Sequence, residues 1–485
     1  MHEILMTGKV MSNPRDAYLK RLVAPRNIWL NGRKVNNVLQ EPAFQGAIDI
    51  TLSYYDMLEG PDFHFDYKGS PAAISLMVPN TVDDLARKRN AYKKVADSSF
   101  GMLGRTPDFI NAGLSAMCSH ATFFGRDEYA DYSANVIDFY DRCAKEHLFV
   151  GHGAINPQID RSKPMGLQSN LYAGVKCVNV SDQGIEVSGA KMIVTLAPIA
   201  DQLLIFNMPG LTEHDADYAL AFAVPTDAHG LKIICRKSLV HPESSEFDYP
   251  LSSKMDEIDA YLVFDQVRIS WSDVFIFRDI AKSNQFYDVT RTRHHTGHQG
   301  VVRGLAKAEL LIGVADSLAR NLGLSSYINV QEQLGELTTA YELIRGAVIL
   351  SELEAQVDAE GVCNPSIHAI QAIRCHFPKW YQKMLQTVQS LAAGSMLAVP
   401  HGDDFHNENE ACLQQALQNP FLSPLDRGKL LNLAWDVSGD GFGQRQMIYE
   451  TYHAGDPMRI AAAHYSNYNK QAMSDSVERA LKGNH

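Results

Sequence analysis

Long apolar runs are missing from this chain. No stretch approaches the roughly 18 residues of a bilayer-spanning helix, and a mean hydropathy of -0.19 leaves no surplus for insertion. Positive charge is in deficit: 44 Lys and Arg against 56 Asp and Glu give a formal charge of -12. Nonspecific attraction to nucleic acid or anionic lipid is therefore not expected, and any anionic cofactor must meet locally gathered cations. Cysteine is sparse and badly spaced for pairing or for metal. The seven (Cys118, Cys143, Cys177, Cys235, Cys363, Cys375, Cys412) are odd in number and contain no C-x-x-C pair, so reduced structural thiols are expected rather than a metal cluster. Residues 1–9 lack the basic start, apolar stretch and small-residue cleavage site of a secretory leader, which predicts a cytoplasmic protein. The chain also has no Walker A sequence, no His-Glu-x-x-His and no Gly-x-Ser-x-Gly, so phosphoryl transfer, zinc proteolysis and hydrolase chemistry have no foothold.

What is present changes texture twice. With 485 residues, the length implies two or three domains. Thr81 and Asp84 have capping-box spacing ahead of Leu85, Tyr92 and Val95 on one helix face, and helical pattern continues over 108–148. Residues 1–150 are read as a helical domain. Between about 170 and 270, short β-branched and aromatic runs such as 174–180, 185–194, 203–206, 219–224, 231–235 and 261–264 are separated by turn signals. Residues 151–277 are read as a β domain, a barrel or sandwich. The helical period then returns, most clearly at Val330, Leu334, Leu337, Tyr341, Ile344 and Val348, and 278–485 is read as a helical bundle. That seam suits a buried helix face or an oligomer contact. The termini and His401 to Asn409 are the segments expected to be flexible.

Candidate chemistry gathers in turns. Gly104-Arg105-Thr106-Pro107 breaks a helical pattern and sets a guanidinium beside Phe109, while His152 is flanked by glycines. Alone, Arg105 reads as a surface arginine and His152 as a core histidine; together they offer a pocket for a phenol or a flavin. Asn156 to Arg161 supplies amides and a guanidinium, fitting the polar rim of a flavin or a plain structural turn. His294, His295 and His298 lie in a basic run that reads as a metal site, a solvated loop or a positive wall around an anion. Gly439-Asp-Gly-Phe-Gly443 imitates a dinucleotide loop, but it follows a helical run with no strand before it, so a helix-to-helix turn is expected.

Gly104 to Asp108, His152 to Arg161, Tyr249 to Ser253, Trp435 to Gly443 and Gly455 to Arg459 resemble, in order and from about Arg26 to about Asn469, the oxygenase component of the 4-hydroxyphenylacetate 3-hydroxylase family of phenol monooxygenases. The resemblance implies an acyl-CoA-dehydrogenase-like α+β fold with an N-terminal helical domain, a central β-barrel and a C-terminal helical bundle, assembled as a homotetramer. It implies ortho-hydroxylation of a phenol through a C4a-hydroperoxyflavin formed from O₂ and diffusible FADH₂, which a separate NAD(P)H-dependent flavin reductase supplies. Such an intermediate needs a dry, shaped pocket. By the same resemblance Arg105 and His152 are catalytic, and Arg105, Phe109, His152, Asn207 and Met208 bind substrate. His152, Gly153, Ala154, Gln158, Ile159, Asp160, Arg161, Thr195, Asp456, Pro457, Met458 and Arg459 are expected on FAD, with Arg161 and Arg459 toward its phosphates.

Two departures bear on the substrate. Phe109 stands where the family commonly has Tyr, and Phe206 to Thr212 carries Met208 and Pro209, whose side chains donate no hydrogen bonds. A small carboxylate tail is thus poorly provided for there, which favours larger or differently anchored phenols, including tyrosine-derived, carrier-tethered ones. Alternatives are an oxidative halophenol dehalogenase, an inactive flavin-binding scaffold, and a 4-hydroxybutyryl-CoA-dehydratase-like enzyme. The last would need cluster thiolates near Ser99, Leu103 and Arg303, where this chain has none.

Overall fold

The computed structural model describes residues 13–240 and 245–482. Residues 1–9, read above for a leader, and the outermost parts of both termini lie outside the described residues.

Thr81 opens the helix Val82–Asp97 with the expected reciprocal cap: its hydroxyl accepts from the Asp84 amide at 3.1 Å, and Asp84 accepts from the Thr81 amide at 3.1 Å. Leu85, Tyr92 and Val95 are buried, as their spacing requires. The 108–148 pattern resolves into Pro107–Ser119 and Tyr132–Glu146, which pack with Pro42–Met57 in a helical N-terminal part.

The central part is two sheets. Six strands run in the spatial order Arg33–Val35, Ile28–Leu30, Leu231–Cys235, Asp259–Ser270, Gly184–Thr195, Val175–Ser181; four run Val274–Phe277, Leu220–Pro225, Gln202–Ile205, Val150–Gly153. The sheets meet through side chains such as Phe222 and Phe264, whose rings lie 6.1 Å apart. Among the described residues a single antiparallel bridge, Ile155 to Met192 with an N–H···O bond of 2.9 Å, links the end of one sheet to the other, and no ladder closes them, so the expected barrel is an unclosed pair of sheets. Two of the strands come from the first forty residues, with Ile28 pairing in parallel with Ile233.

The C-terminal bundle is built on Thr292–Asn321, Ile328–Leu353 and Ile367–Ala392, closed by Pro424–Ser438 and Gly441–Tyr452. The seam along Ile328–Leu353 faces inward: Val330, Leu337, Ile344 and Val348 are buried and Leu334 and Tyr341 pack against the core. Gly439–Asp440 is the helix-to-helix turn expected, and a Cβ on Gly439 would lie 2.5 Å from the Trp435 ring. His401 to Asn409 is tied down by a Gly402 amide to Asp248 bond of 3.0 Å and by Phe405, which packs 5.1 Å from Phe247. No helix among the described residues is long and apolar enough to cross a membrane.

Candidate active site

Arg105 stands one turn ahead of Phe109, which lies in the first turn of the helix Pro107–Ser119. That spacing lays the guanidinium over the phenyl ring, 4.0 Å from its centroid, a cation–π contact worth about 0.5–2 kcal/mol. Further anchors remove the freedom that remains. Nη1 donates to the Tyr449 hydroxyl at 2.6 Å and to the Gly104 carbonyl at 3.0 Å, while the Arg105 amide donates to Glu257 at 2.6 Å. Position 104 must be glycine for this: a Cβ there would sit 1.9 Å from the Tyr449 oxygen. Glu257 is fixed by Arg445, which also grips Asp259 with two donors at 3.1 and 2.8 Å. Burial alone would raise the Asp259 carboxyl, but Arg445 and then Arg236 hold it below the usual range. Asp259 in turn accepts from the Thr195 hydroxyl at 2.8 Å.

His152 lies on the strand Val150–Gly153, its ring 5.5 Å from Phe109 and stacked at 6.2 Å on Phe206, which stacks at 5.9 Å on Tyr287. Burial, reinforced by the Arg105 charge, pushes its pKa down to about 3, so the imidazole is neutral at physiological pH. The array joins a fixed cation and an uncharged proton acceptor on one aromatic surface.

Beneath it, Lys191 is buried without a carboxylate partner among the described residues. Its ammonium donates to Asn156 Oδ1 at 2.7 Å, the Phe206 carbonyl at 2.6 Å and Asn207 Oδ1 at 2.8 Å, and burial lowers its pKa to about 7. It ties the 156–161 turn to the 206–208 segment. Asn207 is held from both ends of its amide, since its Nδ2 also donates to the Tyr218 carbonyl at 2.6 Å; Met208 points outward, 37% exposed.

The structure thus gathers Arg105, Phe109 and His152 directly, and Asn207 and Thr195 through Lys191 and the Arg445 network. Gly153 and Ala154 continue the strand bearing His152 and are buried, whereas Gln158, Ile159 and Arg161 are exposed and Asp160 is partly so. Asp456, Pro457, Met458 and Arg459 begin the helix Pro457–Asn467, where Asp456 caps the Arg459 amide at 3.0 Å. No hydrogen bond or ring contact joins these four to Arg105 or His152 among the described residues.

Tyr449, Glu257, Arg445 and Lys191 were not legible as site residues, because each lies tens to hundreds of residues from its partners. The histidines of the run 291–298 form neither a metal site nor a solvated loop among the described residues, while Arg293 of the same run lines a cleft shared with Arg105. The three histidines lie inside the helix Thr292–Asn321, where His294 meets the Pro365 carbonyl, His295 the Asn364 amide oxygen and His298 the Glu352 carboxylate, at 2.9, 3.0 and 2.9 Å. Three separate partners pin three rings, and the one carboxylate among these partners comes from the helix Ile328–Leu353. Near Ser99 and Leu103, Arg303 is bound by both Glu450 oxygens at 2.7 and 2.9 Å and reaches the Gly101 carbonyl at 2.8 Å.

Helices on either side of a central pair of sheets, with an aromatic–cation site between them, define a protein of acyl-CoA-dehydrogenase-like architecture. The chain belongs to the 4-hydroxyphenylacetate 3-hydroxylase family: its N-terminal model matches residues 15–276 and its C-terminal model residues 283–482. The chain is 34% identical to the 4-hydroxyphenylacetate 3-monooxygenase oxygenase component of Thermus thermophilus, over 94% of this chain and 95% of that one. A solved structure of such an oxygenase component, complexed with FAD and 4-hydroxyphenylacetate, superposes with a TM-score of 0.92 at 34% identity and covers 96% of this chain and 98% of its own. An archaeal 4-hydroxybutyryl-CoA dehydratase from N. maritimus shares the fold, with a TM-score of 0.88 at 19% identity over 98% of this chain and 96% of its own.

Proposed function

We propose that this chain is the oxygenase of a two-component system, hydroxylating a phenol ortho to its hydroxyl with reduced FAD and O₂. The observation that carries the reading is Arg105, fixed 4.0 Å over Phe109, beside a neutral His152 whose ring nitrogens take no hydrogen bond among the described residues. A phenol laid against this surface can donate its hydroxyl hydrogen bond to the neutral His152, while Arg105 stabilises the negative charge that builds on the oxygen. That charge enriches the ortho carbon in electrons, which is where an electrophilic oxygen attacks.

The residues present suit the flavin. Thr195 presents a hydroxyl beside the His152 strand, Ile159 an apolar surface 47% exposed, and Arg161 and Arg459 guanidiniums without an ion pair among the described residues. We assign His152, Gly153, Ala154, Gln158 to Arg161 and Thr195 to the ring and ribityl region, and Asp456 to Arg459 to the distal part. Bound there, reduced FAD supplies the electrons and activates dioxygen. The protein's part is to orient the phenol, move its proton and exclude water.

Residues 1–150, 151–277 and 278–485 are read as three domains, with a separate flavin reductase as partner, a homotetramer as the assembly and the cytoplasm as location. The test is to supply photoreduced FAD and oxygenated buffer with a panel of phenols, and to count hydroxylated product per flavin oxidised. Wild type should yield catechols. Arg105→Ala should drop product per flavin at least tenfold, with peroxide appearing instead. Flavin oxidation without hydroxylated product from any phenol overturns the reading.

A further inference from the structure

Behind Arg105 and Phe109 a narrow cleft of about 70 Å³ runs into the C-terminal bundle between Thr292–Asn321, Ile367–Ala392 and Gly441–Tyr452. Tyr287, Arg374, His453 and Ala454 line it together with Arg105 and Phe109. It is continuous with the site, because Tyr287 stacks on Phe206, which stacks on His152. Room comes from the glycines of the first helix; at Gly300 an added Cβ would meet nothing within 4 Å.

The charges along this cleft are unequal in what they already hold. Arg303 is matched by Glu450 at 2.7 Å, and Arg293 by Asp288 at 2.6 Å. Glu450 is further neutralised by Lys307 at 2.6 Å, so the one carboxylate on the wall does not repel an anion. Arg374 has no carboxylate partner among the described residues. It donates once to Gln371 at 2.8 Å and once to the Ala454 carbonyl at 2.6 Å, which leaves three of the five guanidinium N–H groups for a ligand. Burial lowers its pKa to about 10, so it remains a cation at neutral pH. Asn207 spends one of its two amide N–H groups on the Tyr218 carbonyl, and Met208 offers no donor.

We propose that Arg374 anchors an oxyanion on the tail of the phenol, making this cleft a tail subsite that selects substrates ending in a carboxylate or phosphate. The inference rests on the monooxygenase reading. A forked guanidinium binds either group with paired N–H donors, and Arg105 and Arg374 on one cleft hold the ring and its tail. Phenols with an anionic tail are then favoured over those with a neutral one.

The test compares phenols that share one ring and one para chain but end in carboxylate, phosphate or primary amide, with reduced FAD supplied to each. Wild type should show a KM at least tenfold lower for the anionic tails than for the amide. Arg374→Gln should erase that preference, raising KM for the anionic tails at least tenfold while KM for the amide and the FAD dissociation constant change less than twofold. Arg374→Lys, which keeps the charge, should keep most of the preference and stands in if the glutamine variant does not fold. Equal KM values for all tails in wild type overturn the tail subsite and leave the monooxygenase reading intact. So does an equal rise for all tails in the variants, or a loss of FAD affinity, which would assign the cation to the flavin phosphates. No hydroxylated product from any of the phenols overturns the monooxygenase reading itself.

Discussion

A guanidinium on a flexible stem carries roughly 2 kcal/mol of rotamer entropy, and a catalytic cation must surrender it before substrate arrives. Arg105 does so through Phe109 below it, Tyr449 and the Gly104 carbonyl at Nη1, and Glu257 at its amide. Arg105→Lys keeps the charge and loses the fork, so product per flavin should fall between those of wild type and the alanine variant. Lys191 does for the loops what Tyr449 does for Arg105. Its three acceptors come from two segments about fifty residues apart, so Lys191→Met leaves the 156–161 turn joined to 206–208 by the Asn156 amide donating to Asn207 Oδ1 at 3.1 Å. We expect KM for the phenol to rise about tenfold and coupling to drop. Asn156 Oδ1 and the Phe206 carbonyl lose the ammonium, which should cost about 1–3 kcal/mol of stability by urea denaturation. A variant destabilised that far but with wild-type KM and coupling would reduce Lys191 to a core residue.

The helices are joined at the site by buried charge. Glu450 on Gly441–Tyr452 binds Arg303 and Lys307 on Thr292–Asn321, all three side chains almost fully inaccessible. Burial would raise this carboxyl, but the two cations hold it far below the usual carboxylate range. Glu450→Gln therefore leaves two cations buried without their counter-charge, and the loss should be about 3–5 kcal/mol in urea denaturation; a loss under 1 kcal/mol would show that water reaches the cluster. Such ties also mark where the sequence stops being readable. Helices and strands with a local signature were legible: Thr81 with Asp84, the Val330 to Val348 seam, and the runs at 175–195 and 231–235. Strands of three or four residues, Ile28–Leu30, Arg33–Val35 and Val274–Phe277, are too short to show a period of two. Strand content left barrel and sandwich both open, because closure depends on pairing between distant strands, which strand content does not encode; the barrel came from the family resemblance, and the two sheets stand unclosed. At the site, Arg105, Phe109 and His152 were legible because glycine and proline frame them, whereas Tyr449, 344 residues from Arg105, carried no local sign.

Across the whole molecule, burial has kept protons off bases rather than paired them. It lowers His152 and His453 to about 3 and His147 and His294 to about 4, and moves His295 in the same direction. It also brings Lys88 and Lys191 down to about 7 from 10.5. As pH falls below about 6.5, the unfolded chain takes up histidine protons that the folded chain refuses. Stability should therefore drop by about 1.4 kcal/mol per pH unit for each proton of difference until the folded pKa values near 3–4 are reached. Between about 7 and 10.5 the two lysines act with the same sign: the unfolded chain holds protons the folded chain has shed, so stability rises with pH. Self-repulsion from a formal charge of -12 opposes this, since it grows as pH rises. At about 0.15 M salt, however, it is screened over roughly 8 Å, whereas the desolvation of buried groups is not. The urea midpoint at constant ionic strength should thus climb from pH 5 to 7, with net proton uptake on unfolding at pH 6; from 7 to 9 the buried thiols, whose pKa burial raises, offset the lysines. A midpoint that is flat or falling from pH 5 to 7 would mean that these histidines are charged in the folded protein, and His152 could then not accept a phenolic proton.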